Sequence, residues 1–340
     1  MIREVLERVV AGEILTRSEA SELLRAIMQG DGNELEIAAL LAAMRTRGEH
    51  VDEVVGAAEA MRSLAVELPD ASESTIDTCG TGGDGSNTFN ISTISALVVA
   101  GAGVPVAKHG NRAASSRCGS AEVLEALGVD LGAPPDLMAQ AVEEVGIGFL
   151  FARACHPAMA RVAPIRSGLG IRTIFNRLGP LTNPMHVKRQ VVGVAVPDQL
   201  EMMLRALIEL GAKRAWVVHA EDGLDEISVC ASTRVLVYEN GRTEERILRP
   251  GEFVPAGAPE QLVGGDAEEN AEIARAILGG DRGPRRDVVL LNAAAGFCVA
   301  ERVASMSEGV ELAAEAIDSG RAEQLLTRFV AFTRGEDTPR

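Results

Sequence analysis

The spacing of apolar positions changes character along the chain. From Ile2 to about residue 67 they recur at three- and four-residue steps in four runs, which predicts four short helices. Ser18 before Glu19-Ala20, Asn33 before Glu34-Leu35-Glu36, and His50 or Asp52 before the last run are the expected N-caps. Leu35, Ala38, Ala39, Leu41, Ala42 and Met44 form a small-residue face suited to close helix packing. Pro69-Asp70-Ala71-Ser72 then marks a boundary. Beyond it, compact apolar runs alternate with amphipathic ones. Strands are expected at Ser74–Thr78, Pro105–Lys108, Gly148–Phe151, Gln190–Val196, Ala215–His219, Arg234–Tyr238 and Asp287–Leu291. Helices are expected near Asn90–Ala102, Ser120–Leu127, Pro135–Val145, Asp198–Leu210, Ala267–Leu278 and Gly309–Ser319. Such alternation predicts an α/β fold, a mostly parallel central sheet flanked by helices. Pro157–Pro184 breaks the pattern, being basic and loop-rich with helical pieces.

Composition adds bounds. With 340 residues, 46% of them hydrophobic, the chain can bury a sizeable core and form two domains. We place a small helical domain at 1–70 and a large α/β domain at 71–340. The five cysteines are scattered, and no Cys-x-x-Cys pair occurs. That argues against a disulfide framework or zinc site and fits a reducing, cytoplasmic setting. The start Met1-Ile2-Arg3-Glu4 is amphipathic, unlike a signal peptide, and the apolar run Ile94–Ala107 is short and Gly-rich, so no membrane span is expected.

The formal charge is −16, which speaks against a nucleic-acid surface, yet it is unevenly spread. Gly85–Ala121 holds no acid but Lys108, Arg112 and Arg117. Val145–Pro197 again holds none, with Arg153, Arg161, Arg166, Arg172, Arg177, Lys188 and Arg189. Fields in water are screened over about 8 Å, so a local basic site survives in an acidic protein. These windows read as the walls of a pocket for a small polyanion.

Gly80-Thr81-Gly82-Gly83-Asp84-Gly85 follows an expected strand and precedes an expected helix. Glycines let backbone amides approach an anion, and a helix N-terminus adds its positive dipole end. The letters also spell the dinucleotide fingerprint, which needs an acid about 20 residues later for the ribose. Gly85–Ala121 contains no acid, and no Walker lysine is present, so both nucleotide readings fail.

The next strand end carries Lys108-His109-Gly110-Asn111-Arg112-Ala113-Ala114-Ser115-Ser116 and then Ser120, rich in cations, hydroxyls and small residues. It reads equally as an ordinary polar loop capping the Ser120 helix. Beside the glycine loop, it suggests two phosphate sites at neighbouring strand ends. Asp225 and Glu226 follow another strand, where they either hold Mg²⁺ on a polyphosphate or form a solvated acidic loop. A third region runs from Phe149 through His156 to Pro184, with prolines and Gly179 for rigid walls and Arg166 for a carboxylate. His109 and His156 are candidate bases or merely orienting groups. No Gly-x-Ser-x-Gly elbow or His-Glu-x-x-His occurs.

Together Asp77–Thr93, Lys108–Ser120, Phe149–Met159, Arg172–Pro184 and Asp222–Ser228 closely resemble the anthranilate phosphoribosyltransferase family. Weaker likeness continues through Leu290–Ala295 and Gly309–Gly320, covering nearly the whole chain. The resemblance implies a helical domain, completed by pieces from about 165–185, that mediates homodimerisation. It implies transfer of a 5-phosphoribosyl group from phosphoribosyl pyrophosphate to the amine of anthranilate, with two Mg²⁺ ions. Phosphoribosyl pyrophosphate would meet Gly80, Gly83, Asp84, Thr88, Asn90, Ile91, Ser92, Thr93, Lys108, His109, Gly110, Asn111, Arg112, Ala113, Ala114, Ser115, Ser116 and Ser120. Anthranilate would meet Gly80, Asn111, His156, Arg166, Gly179 and Pro180. Ser92, Asp225 and Glu226 would serve the metal. No covalent nucleophile is expected; Lys108 and His109 are candidate transition-state helpers. Arg153 stands where proline is common and Ser167 where a second basic residue often follows Arg166. Two other readings remain open here: a pyrimidine nucleoside phosphorylase-like enzyme, which has no need of Asp225-Glu226, and a non-catalytic nucleic-acid-binding relative.

Overall fold

In the computed structural model, which describes residues 1–113 and 117–337, the first four elements are helices α1 (Ile2–Val10), α2 (Arg17–Gln29), α3 (Glu34–Arg47) and α4 (Val51–Ser63). Asn33 and His50 are N-caps as expected. The cap of α2 is Thr16, not Ser18: its hydroxyl accepts from the Glu19 amide, and Glu19 reaches back to the Thr16 amide. That reciprocal box satisfies two orphan donors, which Ser18 could not do from inside the helix.

A seven-stranded sheet follows, made of β1 (Ile76–Gly80), β2 (Val106–Gly110), β3 (Ile147–Phe151), β4 (Arg189–Gly193), β5 (Arg214–Ala220), β6 (Thr233–Glu239) and β7 (Arg242–Leu248). Its order is β3-β2-β1-β4-β5-β6-β7. The first five are parallel, and β6 and β7 are antiparallel additions at one edge. The strand order reverses at β1 and β4, so a crevice opens at their carboxyl ends.

β7 was not anticipated. Its charged residues Arg242, Glu244, Glu245 and Arg246 hide it from a hydrophobic reading, and such charges also guard an edge strand. The local signal was Asn240-Gly241, whose φ values of 52° and 73° suit a primed hairpin turn. The expected strand Asp287–Leu291 is instead inside a helix, Pro284–Val299. That helix is buried on every side from Val288 to Val299, so its apolar run carries no helical period to read. The helix at Arg321–Thr333 was also missed.

Two hydrophobic clusters pack the molecule. One joins both helices just named to β1–β3 and to helix α5 (Ile91–Gly101). The other joins α1–α4 to Val162, Ile165, Ile174, Phe175, Leu178 and Leu181, then runs beneath β4 and β5 to the Gln199–Glu209 helix. The Pro157–Pro184 stretch thus fills the seam between bundle and sheet. Among the described residues, no helix is long and apolar enough to cross a membrane.

Candidate active site

The crevice at the ends of β1 and β4 is lined by the glycine loop. Gly80 pairs with Gly193 across the two strands, and the Thr81 amide donates to the Gly193 carbonyl at 2.9 Å. The Asp222–Ser228 loop, leaving β5, lays Asp225 over this pair. Asp225 Oδ2 accepts from the Gly82 amide at 2.9 Å, and Glu226 Oε1 accepts from the Ser92 amide at 3.1 Å, at the first turn of α5. Burial raises the pKa of both carboxyls; for Asp225 the nearby Asp84 adds to it, and for Glu226 the nearby Asp225 does. Ionising both carboxyls is therefore costly here without a counter-charge.

Lys108, on β2, is almost fully buried and reaches under the loop. Its ammonium donates to the Thr78 carbonyl and, at 3.4 Å, to Ser92 Oγ, and its charge favours the ionised form of Glu226. The buried Asp77 carboxylate accepts from the His109 amide at 3.2 Å and from Asn183 Nδ2 at 3.0 Å, fixing the β2 end against the Leu178–Asn183 segment. Asn90 is held from two sides: its Nδ2 donates to the Cys118 carbonyl and its Oδ1 accepts from Asn270 Nδ2 at 3.0 Å. The Ser86 hydroxyl and amide both bond Asp84.

A second grouping lies beside β2. The rings of His109 and His156 meet edge to face with centroids 5.2 Å apart, and His109 Nδ1 is 2.9 Å from the Gly179 carbonyl. Burial lowers the pKa of both rings, that of His156 to about 3, so both are neutral near pH 7. Pro180 is buried, and its carbonyl accepts from Gln190 Nε2. Arg166 lies over the Phe175 ring with its guanidinium carbon 5.5 Å from the centroid.

A family model described as glycosyl transferase family, a/b domain, matches residues 72–323, and one described as glycosyl transferase family, helical bundle domain, matches 3–65. The anthranilate phosphoribosyltransferase of Thermomicrobium roseum is 54% identical over 338 residues, 97% of this chain and 96% of that one. That of Desulfosudis oleivorans is 50% identical over 336 residues, 98% and 99% of the two chains. The crystal structure of the Thermus thermophilus enzyme superposes with a TM-score of 0.92 at 49% identity, covering 97% of this chain and 99% of that one. The chain belongs to the anthranilate phosphoribosyltransferase family. It transfers the 5-phosphoribosyl group from phosphoribosyl pyrophosphate to anthranilate, a step of tryptophan biosynthesis. The Saccharomyces cerevisiae enzyme in complex with PRPP and Mg, 28% identical, has a TM-score of 0.84 over 94% of each chain.

In this chain Gly80, Gly83, Asp84, Ser92, Lys108, Asp225 and Glu226 gather at one crevice. Thr88 bridges to Val263 behind the loop, and the side chains of Ile91 and Thr93 are buried, leaving backbone as what Ile91 can offer a ligand. Gly110 must lack a side chain, because a Cβ there would strike Ser120 Oγ and the Phe149 ring. The Asn111 carbonyl accepts from Ser120 Oγ at 3.2 Å, and the Ala113 amide donates to Glu122. Arg112 turns to Glu125 at 3.0 Å, and Arg117 to Glu269 at 3.5 Å, both in exposed ion pairs. Ala114, Ser115 and Ser116 lie outside the described residues. Arg153 and Ser167 are exposed on short helices. Sequence reasoning missed Gly193 and Arg172. A glycine inside a strand signals close backbone approach, so Gly193 was readable; Arg172 was visible only as one base of the acid-free Val145–Pro197 window and the first residue of the Arg172–Pro184 motif, with no partner indicated.

Proposed function

We propose that the Gly80–Asp84 loop, Ser92, Lys108, Asp225 and Glu226 form the pyrophosphate-and-metal half of the active site, and that His109, His156, Arg166, Gly179 and Pro180 with Asn111 form the anthranilate half. The observation that carries this is the convergence of the glycine loop and the Asp225-Glu226 loop over the Gly80–Gly193 pair. Asp84, Thr88, Asn90–Thr93 and the Lys108–Ser120 segment complete the phosphoribosyl pyrophosphate site in this reading.

The residues suit Mg²⁺. Burial first, and an acidic neighbour second, make it costly to ionise Asp225 and Glu226, a cost that a bound divalent cation would offset. Among the described residues, no three His, Cys, Asp or Glu side chains gather closely enough to hold a metal by themselves. Mg²⁺ needs no such cage, since it takes one or two carboxylates and completes its shell with water and substrate phosphate. Asp225, Glu226 and Ser92 would hold it, as two ions. When bound, Mg²⁺ supplies neutralisation of the charge that builds on departing pyrophosphate.

The reaction breaks the bond from ribosyl C1 to a pyrophosphate oxygen, which keeps the electron pair. The anthranilate nitrogen forms the new bond to C1 and loses a proton to solvent. An aryl amine is neutral and nucleophilic at pH 7, so the protein's contribution is positioning and electrostatics. Lys108 holds Ser92 Oγ and the Thr78 carbonyl in place and offsets Glu226. Neutral His109 and His156 offer hydrogen-bonding walls without repelling a cationic sugar, and Arg166 is suited to the anthranilate carboxylate.

We further propose residues 1–70, with pieces of 165–185, as a helical domain that pairs two copies into a homodimer, and 71–340 as the phosphoribosyl pyrophosphate domain, in a cytoplasmic enzyme. The exposed apolar side chains Val10, Ile14 and Leu35 on the helical end support the pairing. The site assignment is tested by the kinetics of Asp225→Asn and Glu226→Gln over a Mg²⁺ series. Two charges 4 Å apart at an effective dielectric near 20 interact by about 4 kcal/mol, so kcat should fall about 10²-fold or more and need higher Mg²⁺. Wild-type Mg²⁺ dependence in both variants rejects the assignment.

A further inference from the structure

Arg172 sits in the connection between the short helices Ala163–Leu169 and Phe175–Leu178. Its neighbours Ile174 and Phe175 pack in the bundle-side core, yet its guanidinium crosses the seam to the glycine loop. Nη1 donates to two consecutive carbonyls, Gly82 O at 2.9 Å and Gly83 O at 3.0 Å. In a trans peptide the C=O and the following N–H point in opposite directions. Pulling both carbonyls toward Arg172 therefore turns the amides of Gly83 and Asp84 away from it. Neither amide has an acceptor among the described residues, whereas the flanking Thr81 and Gly82 amides are taken by Gly193 O and Asp225 Oδ2.

The loop and the arginine are fitted to each other. Gly82 and Gly83 have φ of 63° and 72°, the left-handed region that favours glycine. A Cβ on Gly83 would stand 2.7 Å from Arg172 Nη1. Nη2 of Arg172 is buried without a partner among the described residues, beside the charges of Asp225 and Asp84.

We infer that Arg172 is a positioning residue: by holding the Gly82 and Gly83 carbonyls it presents the Gly83 and Asp84 amides as paired donors to a pyrophosphate-type anion. This rests on the glycine loop being the pyrophosphate side of the site. It also ties that loop to the segment carrying Arg166, Gly179 and Pro180, so both substrate sides share one strap. Lysine replaces it only in part: an ammonium keeps a donor nitrogen, as Nη1 is here, but loses the rigid planar group that fixes the direction from which both carbonyls are reached.

The test is calorimetric titration of phosphoribosyl pyrophosphate with Mg²⁺, and of inorganic pyrophosphate with Mg²⁺, into wild type, Arg172→Lys and Arg172→Met. The expected result is a Kd for both ligands raised about tenfold or more in Arg172→Met and only partly restored in Arg172→Lys. The KM for phosphoribosyl pyrophosphate should rise in step, with kcat and the anthranilate KM at saturating donor within about threefold of wild type. Should Arg172→Met melt several degrees early, Arg172→Lys decides by the same criterion. Wild type binding normally with variant Kd values within twofold overturns the role of Arg172 and leaves the pyrophosphate reading intact. Failure of wild type to bind either ligand overturns that reading, and the inference with it.

Discussion

Gly80 and Gly193 lie side by side across β1 and β4, and Asp225 rests on both. A Cβ on Gly80 would strike the Asp225 carboxylate, and one on Gly193 would strike its backbone carbonyl. Two bare positions in adjacent strands thus make the slot into which an acidic loop from 143 residues away is lowered onto the glycine loop. Backbone cannot step aside as a side-chain end can, and overpacking of this kind costs about 1–3 kcal/mol. Gly193→Ala should therefore lower kcat/KM for phosphoribosyl pyrophosphate about 10²-fold while far-ultraviolet circular dichroism stays native. Activity within threefold of wild type would show that the slot does not position Asp225.

Lys108→Ala removes an ammonium bonded to Thr78 O and Ser92 Oγ and leaves Glu226 without that compensation. Steady-state assays should show kcat lower by about 10²-fold or more, from the loss of a charge contact worth ~4 kcal/mol. Cys155 provides the contrast. Burial pushes its thiol up to about 12, so it is no thiolate nucleophile, and Cys155→Ala should retain at least half the activity.

Glu49 and Arg177 form an ion pair deep in the seam between α3–α4 and the Phe175–Leu178 helix, with the Glu49 side chain fully buried and Arg177 nearly so. Removing one partner strands the other charge. Glu49→Gln should lower the free energy of unfolding by about 3–5 kcal/mol, and Glu49→Leu with Arg177→Met should recover much of that. Urea titration measures both, and an undiminished midpoint for Glu49→Gln would deny the pair a structural role.

The two buried histidines set an acid limit. Their folded pKa values lie below the ordinary 6.5, that of His156 at about 3. Above pH 6.5 both states are neutral and nothing is lost. As pH falls toward 3 the unfolded chain takes up protons that the folded chain refuses. Each such ring then lowers stability by up to about 1.4 kcal/mol per pH unit. Urea midpoints should fall between pH 6.5 and 5, and less steeply in His156→Asn. Equal slopes would mean that His156 is protonated in the folded protein.

What was legible in the sequence follows from range. The four-helix start, the parallel strands and the glycine loop are written in local periodicity and in residues with special backbone freedom. Asp225-Glu226 stood out because an acid pair follows a strand end. The helix holding Asp287–Leu291 was misread because burial on all sides erases its period, and β7 because charges cover it. Contacts across the seam leave no local trace. Arg172 is 89 residues from Gly83, and nothing near either names the other. The ion pairs of Arg112 with Glu125 and of Arg117 with Glu269 are likewise contacts that the fold brings about.

The most direct measurement mixes the protein with anthranilate and follows anthranilate fluorescence as phosphoribosyl pyrophosphate and Mg²⁺ are added in turn. A glycine-loop and acid-pair site working through Mg²⁺ predicts that fluorescence falls only when both are present and stops falling when a chelator removes the metal. A decline that persists undiminished in excess chelator, or none with every component present, would contradict it.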